Sequence, residues 1–95
     1  MKQIAFSMLT VGLLALASPA HAQCYADYKA KQDNPLRLHY GVVQLQGTCS
    51  RGAARSEVAS RIARGGWTLL NIVSVFGPEG LNERRDSAGP YFLRF

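Results

Sequence analysis

Residues 61–76 read RIARGGWTLLNIVSVF: the last turn of a helix, two glycines, the only tryptophan of the chain, and a long run of β-branched and apolar residues. Gly65 or Gly66 stands where the left-handed residue past a helix end belongs, and with Gly66 in that role Trp67 takes the next position. Ile62 is then the third residue from the helix end, and these two positions commonly touch across a glycine cap. Gly65, Gly66 and Trp67 are therefore read as a structural cap, with a ligand-facing Trp67 as the alternative. Thr68 to Phe76 is apolar on both faces apart from Thr68, Asn71 and Ser74, which predicts a strand that is central or covered on both sides.

Upstream, Arg51 to Arg64 has helical periodicity. Ala54, Val58 and Ile62 recur every fourth residue as a narrow apolar stripe, widened by Ala59. Glu57 and Arg61 form a favourable i,i+4 pair, and Arg61 and Arg64 suit the negative end of the helix dipole. Before it, LRLHYGVVQLQ (36–46) alternates Leu36, Leu38, Tyr40 and Val42 with Arg37, His39 and Gly41, which predicts a strand. The alternation slips at Val42-Val43, as at a bulge or where both faces are buried. In CYADYKAKQDN (24–34), Tyr25 and Tyr28 lie three apart and Ala26 and Ala30 four apart, predicting a short helix that Pro35 ends. At the other end, Gly89 to Phe95 opens with a turn and predicts a closing strand.

The fold class expected is α+β: a small three-stranded sheet in the order β-α-β-β, one main helix packed on one face, a short N-terminal helix and one disulfide. The helical crossover predicts parallel first and second strands joined with a right-handed connection. The final strand fits either the middle or the edge of the sheet, and its apolar content favours the middle.

Residues 1–22 read as a signal peptide: Met1-Lys2, an apolar run from Ile4 to Ala17, then Ala20-His21-Ala22 as the cleavage signal. The run falls short of the roughly 20 residues that a retained anchor needs. Gln23 before Cys24 is not the small residue that lipid modification of Cys24 wants. Residues 23–95 then form a single small α+β domain with no transmembrane segment, placed in the periplasm or secreted. A domain of this size is marginally stable without a staple. The two cysteines, Cys24 and Cys49, supply one as a disulfide in an oxidising compartment. His39 alone cannot complete a zinc site with them, so no metal or other cofactor is expected.

The whole chain carries a formal net charge of +5, one unit less without Lys2. That excess suits an envelope protein or an anionic surface component as partner. Nucleic acid is disfavoured, because Arg51 and Arg55 lie on one side of the helix and Arg61 and Arg64 on the other, without one aromatic-lined face. The connection GPEGLNERRDSAG (77–89) is long for a chain of this size. Pro78 can open a helical turn through Leu81 to Arg85 there, with Gly89 ending it. Arg84 and Arg85, beside Glu83, are the candidate partner-binding residues, since two guanidiniums can hold a carboxylate or phosphate in fork geometry. The plainer reading of this segment is a self-paired, solvated connection.

Catalytic chemistry is thinly supported. GxSxG, P-loop and HExxH patterns are missing. A thiol nucleophile is denied by the disulfide, and no second titratable group is fixed near His39 by sequence. The alternating Tyr91, Leu93 and Phe95 resemble the terminal signal of outer-membrane barrels, but so short a chain cannot supply eight spanning strands. No catalytic residue is assigned.

His39-Tyr40-Gly41-Val42, Gly66-Trp67-Thr68-Leu69-Leu70 with Val73 and Val75, and Tyr91-Phe92-Leu93-Arg94 together resemble small uncharacterised bacterial proteins, a domain of unknown function in an exported variant. Their pattern is strand, helix, Gly-Trp-x-Leu, then two strands. The resemblance implies a compact fold and transfers no catalytic residue. The reading that follows is a non-enzymatic binding module of the cell envelope, exported to the periplasm. The alternative is a small secreted phosphodiesterase or ribonuclease-like hydrolase using His39.

Overall fold

The structure, a computed structural model, describes residues 23–95; the expected signal peptide lies outside the described residues. β1 (Cys24–Gln32) and β2 (Arg37–Leu45) form a hairpin, α1 (Arg51–Ala63) follows, and β3 (Thr68–Phe76) completes the sheet. A 3-10 turn (Pro78–Gly80), α2 (Asn82–Ala88) and a second 3-10 turn (Gly89–Tyr91) end the chain. The strand order is β2-β1-β3, antiparallel throughout. The α+β class, the three-stranded sheet with its main helix and the single disulfide are as the sequence implies.

The topology corrects the expected order. Cys24–Gln32 is a strand, not a short helix, and it takes the middle of the sheet. The same residues that carry helical spacing also alternate cleanly. Ala26, Tyr28 and Ala30 point into the core beneath α1, while Tyr25, Asp27, Lys29 and Lys31 point to the second face. Pairing along both edges of β1 settles the competition, because strand preference follows packing partners more than local propensity. The order is thus β-β-α-β rather than β-α-β-β. β2 and β3 do run in the same direction, both being antiparallel to β1, but β1 lies between them.

β3 is correspondingly an edge strand, not a central one. Its register against β1 shifts between Asp27 and Tyr28 and again between Lys29 and Ala30. Those shifts leave Val73 and Leu70 without partners across the ladder, and both side chains stand in the solvent. The guanidinium of Arg51 donates to the main-chain carbonyls of Ile72 and Val73, occupying acceptors along β3.

The core lies between the sheet and α1. Ala54, Val58 and Ile62 are fully buried and pack with Ala26, Tyr28, Ala30, Val43, Leu45 and Ile72. Alanines on both sides of this contact let helix and sheet approach closely. Val42 and Val43 are both buried, so the broken alternation marks burial on two faces. At the helix start Ser50 Oγ accepts from Ala53 N–H at 3.3 Å. At its end Gly66 has φ 84, Gly66 N–H donates to Ala63 O at 2.9 Å and Trp67 N–H to Ile62 O at 3.1 Å. This is the doubly bonded glycine closure of a helix, and it delivers Trp67 into the core.

Residues 89–95 do not form the expected strand. Pro90 has no N–H to give a ladder, and β1 already fills the middle of the sheet. The tail instead touches β2 through one parallel bridge, Val42 to Phe92, with Leu93 N–H donating to Val42 O at 2.8 Å. It then folds over the β2 edge, where Arg61 donates to Phe95 O at 2.5 Å. Cys24 and Cys49, with Cα atoms 5.9 Å apart, join the start of β1 to the loop before α1.

Candidate functional site

The connection from 77 to 89 is a packed layer. α2 lies on the second face of the sheet, where Arg84 Nε donates to Asp27 Oδ2 at 3.0 Å. The same carboxylate accepts from Tyr40 Oη at 2.7 Å and Ser74 Oγ at 2.6 Å. Burial alone would raise the Asp27 pKa. The hydrogen bonds from Ser74, Tyr40 and Arg84, with the charge of Arg84, outweigh it and hold the carboxyl below its ordinary value. Burial and the bond to Asp27 push the Tyr40 phenol up to about 12. Arg84 also donates to Gly80 O and Glu83, and its guanidinium lies 3.9 Å above the Phe76 ring. Arg85 turns elsewhere, 4.6 Å above the ring of Phe92. The two arginines therefore do not present one fork. Arg84 anchors α2 to the sheet, while Glu83 and Arg85 keep their outer surfaces.

His39 is on the core face of β2, although Leu36, Leu38, Tyr40 and Val42 make the other phase the more apolar one. Val43 and Leu45 set the inward phase, and Gly41 in the same phase leaves room for Tyr28, whose Oη would lie 2.5 Å from a Cβ there. Tyr28 Oη and His39 Nε2 are 2.9 Å apart. Tyr91 stacks on the imidazole at 3.7 Å, Trp67 meets it edge-on at 4.2 Å, and Phe95 lies beyond. His39 is only 8% exposed, and its Nδ1 is buried without a hydrogen-bond partner among the described residues. Burial, with the nearby charge of Arg94, pushes its pKa down to about 4, so the ring is neutral at pH 7. Burial likewise pushes Tyr28 up to about 12. General acid–base work at neutral pH wants a group that titrates there and can touch a substrate; burial and the stack with Tyr91 hold this imidazole neutral and turned to the core.

What stays open is the hairpin half of the second face. α2 covers the sheet around Asp27 and Tyr25, whose ring stacks on Phe76. Beyond Asp27, towards the 33–36 turn, lies a groove of about 340 Å³ lined by Lys29, Leu38, Tyr40 and Leu70, with Ala30 and His39 in its floor. The alternation of β1 and β2 sends the Ala30 and His39 side chains to the core, so they form that floor through their main chain. Leu36 and Leu38 are each 65% exposed and Leu70 43%. The bulge in β3 aims Leu70 outward. Among the described residues no cluster of three or more His, Cys, Asp or Glu comes together. An apolar groove with one lysine on its wall can take hydrocarbon and an anionic group side by side.

The sequence reading missed both this groove and the Asp27 hub, because both depend on Cys24–Gln32 being a strand. The alternation of Ala26, Tyr28 and Ala30 was the signal that could have revealed them.

Comparison with known proteins finds no family model, no curated protein and no solved structure that matches this chain.

Proposed function

We propose that this protein is a small exported, non-enzymatic binding module of the cell envelope, and that it engages its partner through the open hairpin half of the sheet. The observation that carries this reading is the exposure of Leu38 and Leu70 on one lysine-walled groove, with Leu36 exposed in the adjoining turn. Three large apolar side chains exposed at one end of a small domain cost solubility, and such patches mark interaction sites. Export fits the disulfide, since a Cys24–Cys49 bond persists in an oxidising compartment. Glu83 and Arg85 belong to the helix that covers the other half of the same face, outside the groove on which this reading rests.

The test is site-specific cross-linking in intact cells from position 38, with position 55 on the exposed side of α1 as control. A discrete adduct from position 38 and none from position 55 supports the reading. Equal labelling from both, or none, counts against it. A hydrolase centred on His39 would require the imidazole to leave its stack with Tyr91. Turnover of RNA or phosphodiesters by the wild type, lost in His39→Ala, would replace the binding reading with that one.

A further inference from the structure

We infer that the surface engaged by the hairpin half of the sheet is an anionic lipid bilayer; the inference rests on the reading that this face is the binding face. The hairpin end concentrates the charge that such a surface wants. Lys29 and Lys31 on β1 and Arg37 at the start of β2 flank Leu36 and Leu38, and Arg64 lies close by at the end of α1, where Gln32 Nε2 reaches Gly65 O at 3.4 Å. The single carboxylate there, Asp33, is paired with Lys31 at 3.4 Å.

The remaining acidic groups lie away from this end. Asp27 is buried under Arg84, and Glu57 is bound to the N–H groups of Gln46 and Gly47 and to Arg61. Glu79, Glu83 and Asp86 sit in the 78–88 layer. The molecule is thus polarised, with exposed leucines and near-unopposed cations at the same end. Lysine and arginine stems lie along apolar surface while their heads seek phosphates. Leucines projecting between them enter the headgroup boundary, the combination by which proteins hold an anionic membrane surface without crossing it. No helix among the described residues is long and apolar enough to cross a membrane, so the contact inferred is interfacial. The groove walled by Lys29, Leu38, Tyr40 and Leu70 matches an amphiphile whose anionic group and hydrocarbon meet at one boundary.

The experiment is co-sedimentation of the protein, expressed from its full sequence and purified with its disulfide formed, with phosphatidylcholine vesicles with and without phosphatidylglycerol. Binding should require phosphatidylglycerol and fall steeply between about 0.1 M and 1 M salt, as the Debye length shrinks from about 10 Å to about 3 Å. Lys29→Gln with Lys31→Gln and Arg37→Gln should lower partitioning by about fivefold per charge, on the order of a hundredfold together. Leu36→Ser with Leu38→Ser leaves the charge unchanged and should still lower it at least tenfold, which a purely electrostatic contact would not show. Arg55→Gln should cost less than Lys29→Gln alone. Trp67 fluorescence verifies that each variant is folded. Equal binding with and without phosphatidylglycerol, or undiminished binding by the hairpin variants, overturns the inference. Absent vesicle binding combined with protein adducts from position 38 overturns the lipid and leaves the binding face standing. Absence of both removes both.

Discussion

Arg84 and His39 show how little a side chain's type says about its use. Arg84 is the cation paired with Asp27, and removing one partner of a buried pair strands the other charge. Because the Arg84 side chain is one-fifth exposed, Arg84→Ala should cost about 2–3 kcal/mol, below the range of fully buried pairs. The measurement is the chemical denaturation midpoint, with Arg84→Met plus Asp27→Asn expected to recover most of the loss. Arg85→Ala, losing only a contact with Phe92, should stay within about 1 kcal/mol. An exposed arginine pair would have left melting unchanged at both positions, and sequence alone could not separate them.

His39 makes a different prediction. Its pKa is lowered in the folded state to about 4, so the unfolded chain takes up the proton first as pH falls. Stability is therefore whole above about pH 6.5, declines as pH drops from there towards 4, and the loss from this group is complete below that; its size is on the order of 3 kcal/mol. His39→Phe with Tyr28→Phe removes the titrating ring together with its partner and should flatten melting temperature between pH 7 and 5. Asp27 and Glu57, whose pKa values are both lowered, act at lower pH and should leave a decline below pH 4 in both proteins. The inward turn of His39 was hidden because Leu36, Leu38, Tyr40 and Val42 form the more apolar phase of β2. The phase that wins contains Gly41, whose value lies in what it lacks: room for Tyr28.

At the scale of elements, the parts of the fold stated by local pattern were legible and those stated by pairing were not. The stripe of α1, its glycine closure and the Pro78-to-Gly89 helical excursion are each written within a few residues. Whether residues 24–32 curl or extend is decided by two strands from distant parts of the chain, and that one ambiguity moved β1 to the centre, β3 to the edge and the tail off the sheet. Two glycines test the resulting packing. Gly41→Ala places a Cβ against the Tyr28 ring and should cost about 2 kcal/mol, the usual effect of overpacking a core. Gly66→Ala, at φ 84 with no backbone contact in the way, should cost about 1 kcal/mol through strain alone. Equal costs at the two sites would contradict the close seat of Tyr28 over Gly41.

For the whole molecule, a small core, a single covalent staple and a polarised surface belong to one design. The disulfide closes a 25-residue separation at the end of the sheet away from the leucine-bearing hairpin, and fastens the Gly47–Ser50 loop whose Gly47 N–H is also held by Glu57. On a chain-entropy account such a loop is worth about 3 kcal/mol. A domain of this length has a total stability of roughly 4–10 kcal/mol, so the staple is a large share of what keeps apolar groups from solvent. Reduction should lower the urea midpoint by roughly 2–3 M at a slope of about 1 kcal/mol per M. Trp67, buried against His39 and Tyr91, reports the transition through its emission. A reduced protein with an unchanged midpoint would mean that the 46–50 loop is held by Glu57 and Ser50 alone. The expected large drop ties folding of the domain, and with it display of the leucine-bearing face, to the oxidised state of Cys24 and Cys49.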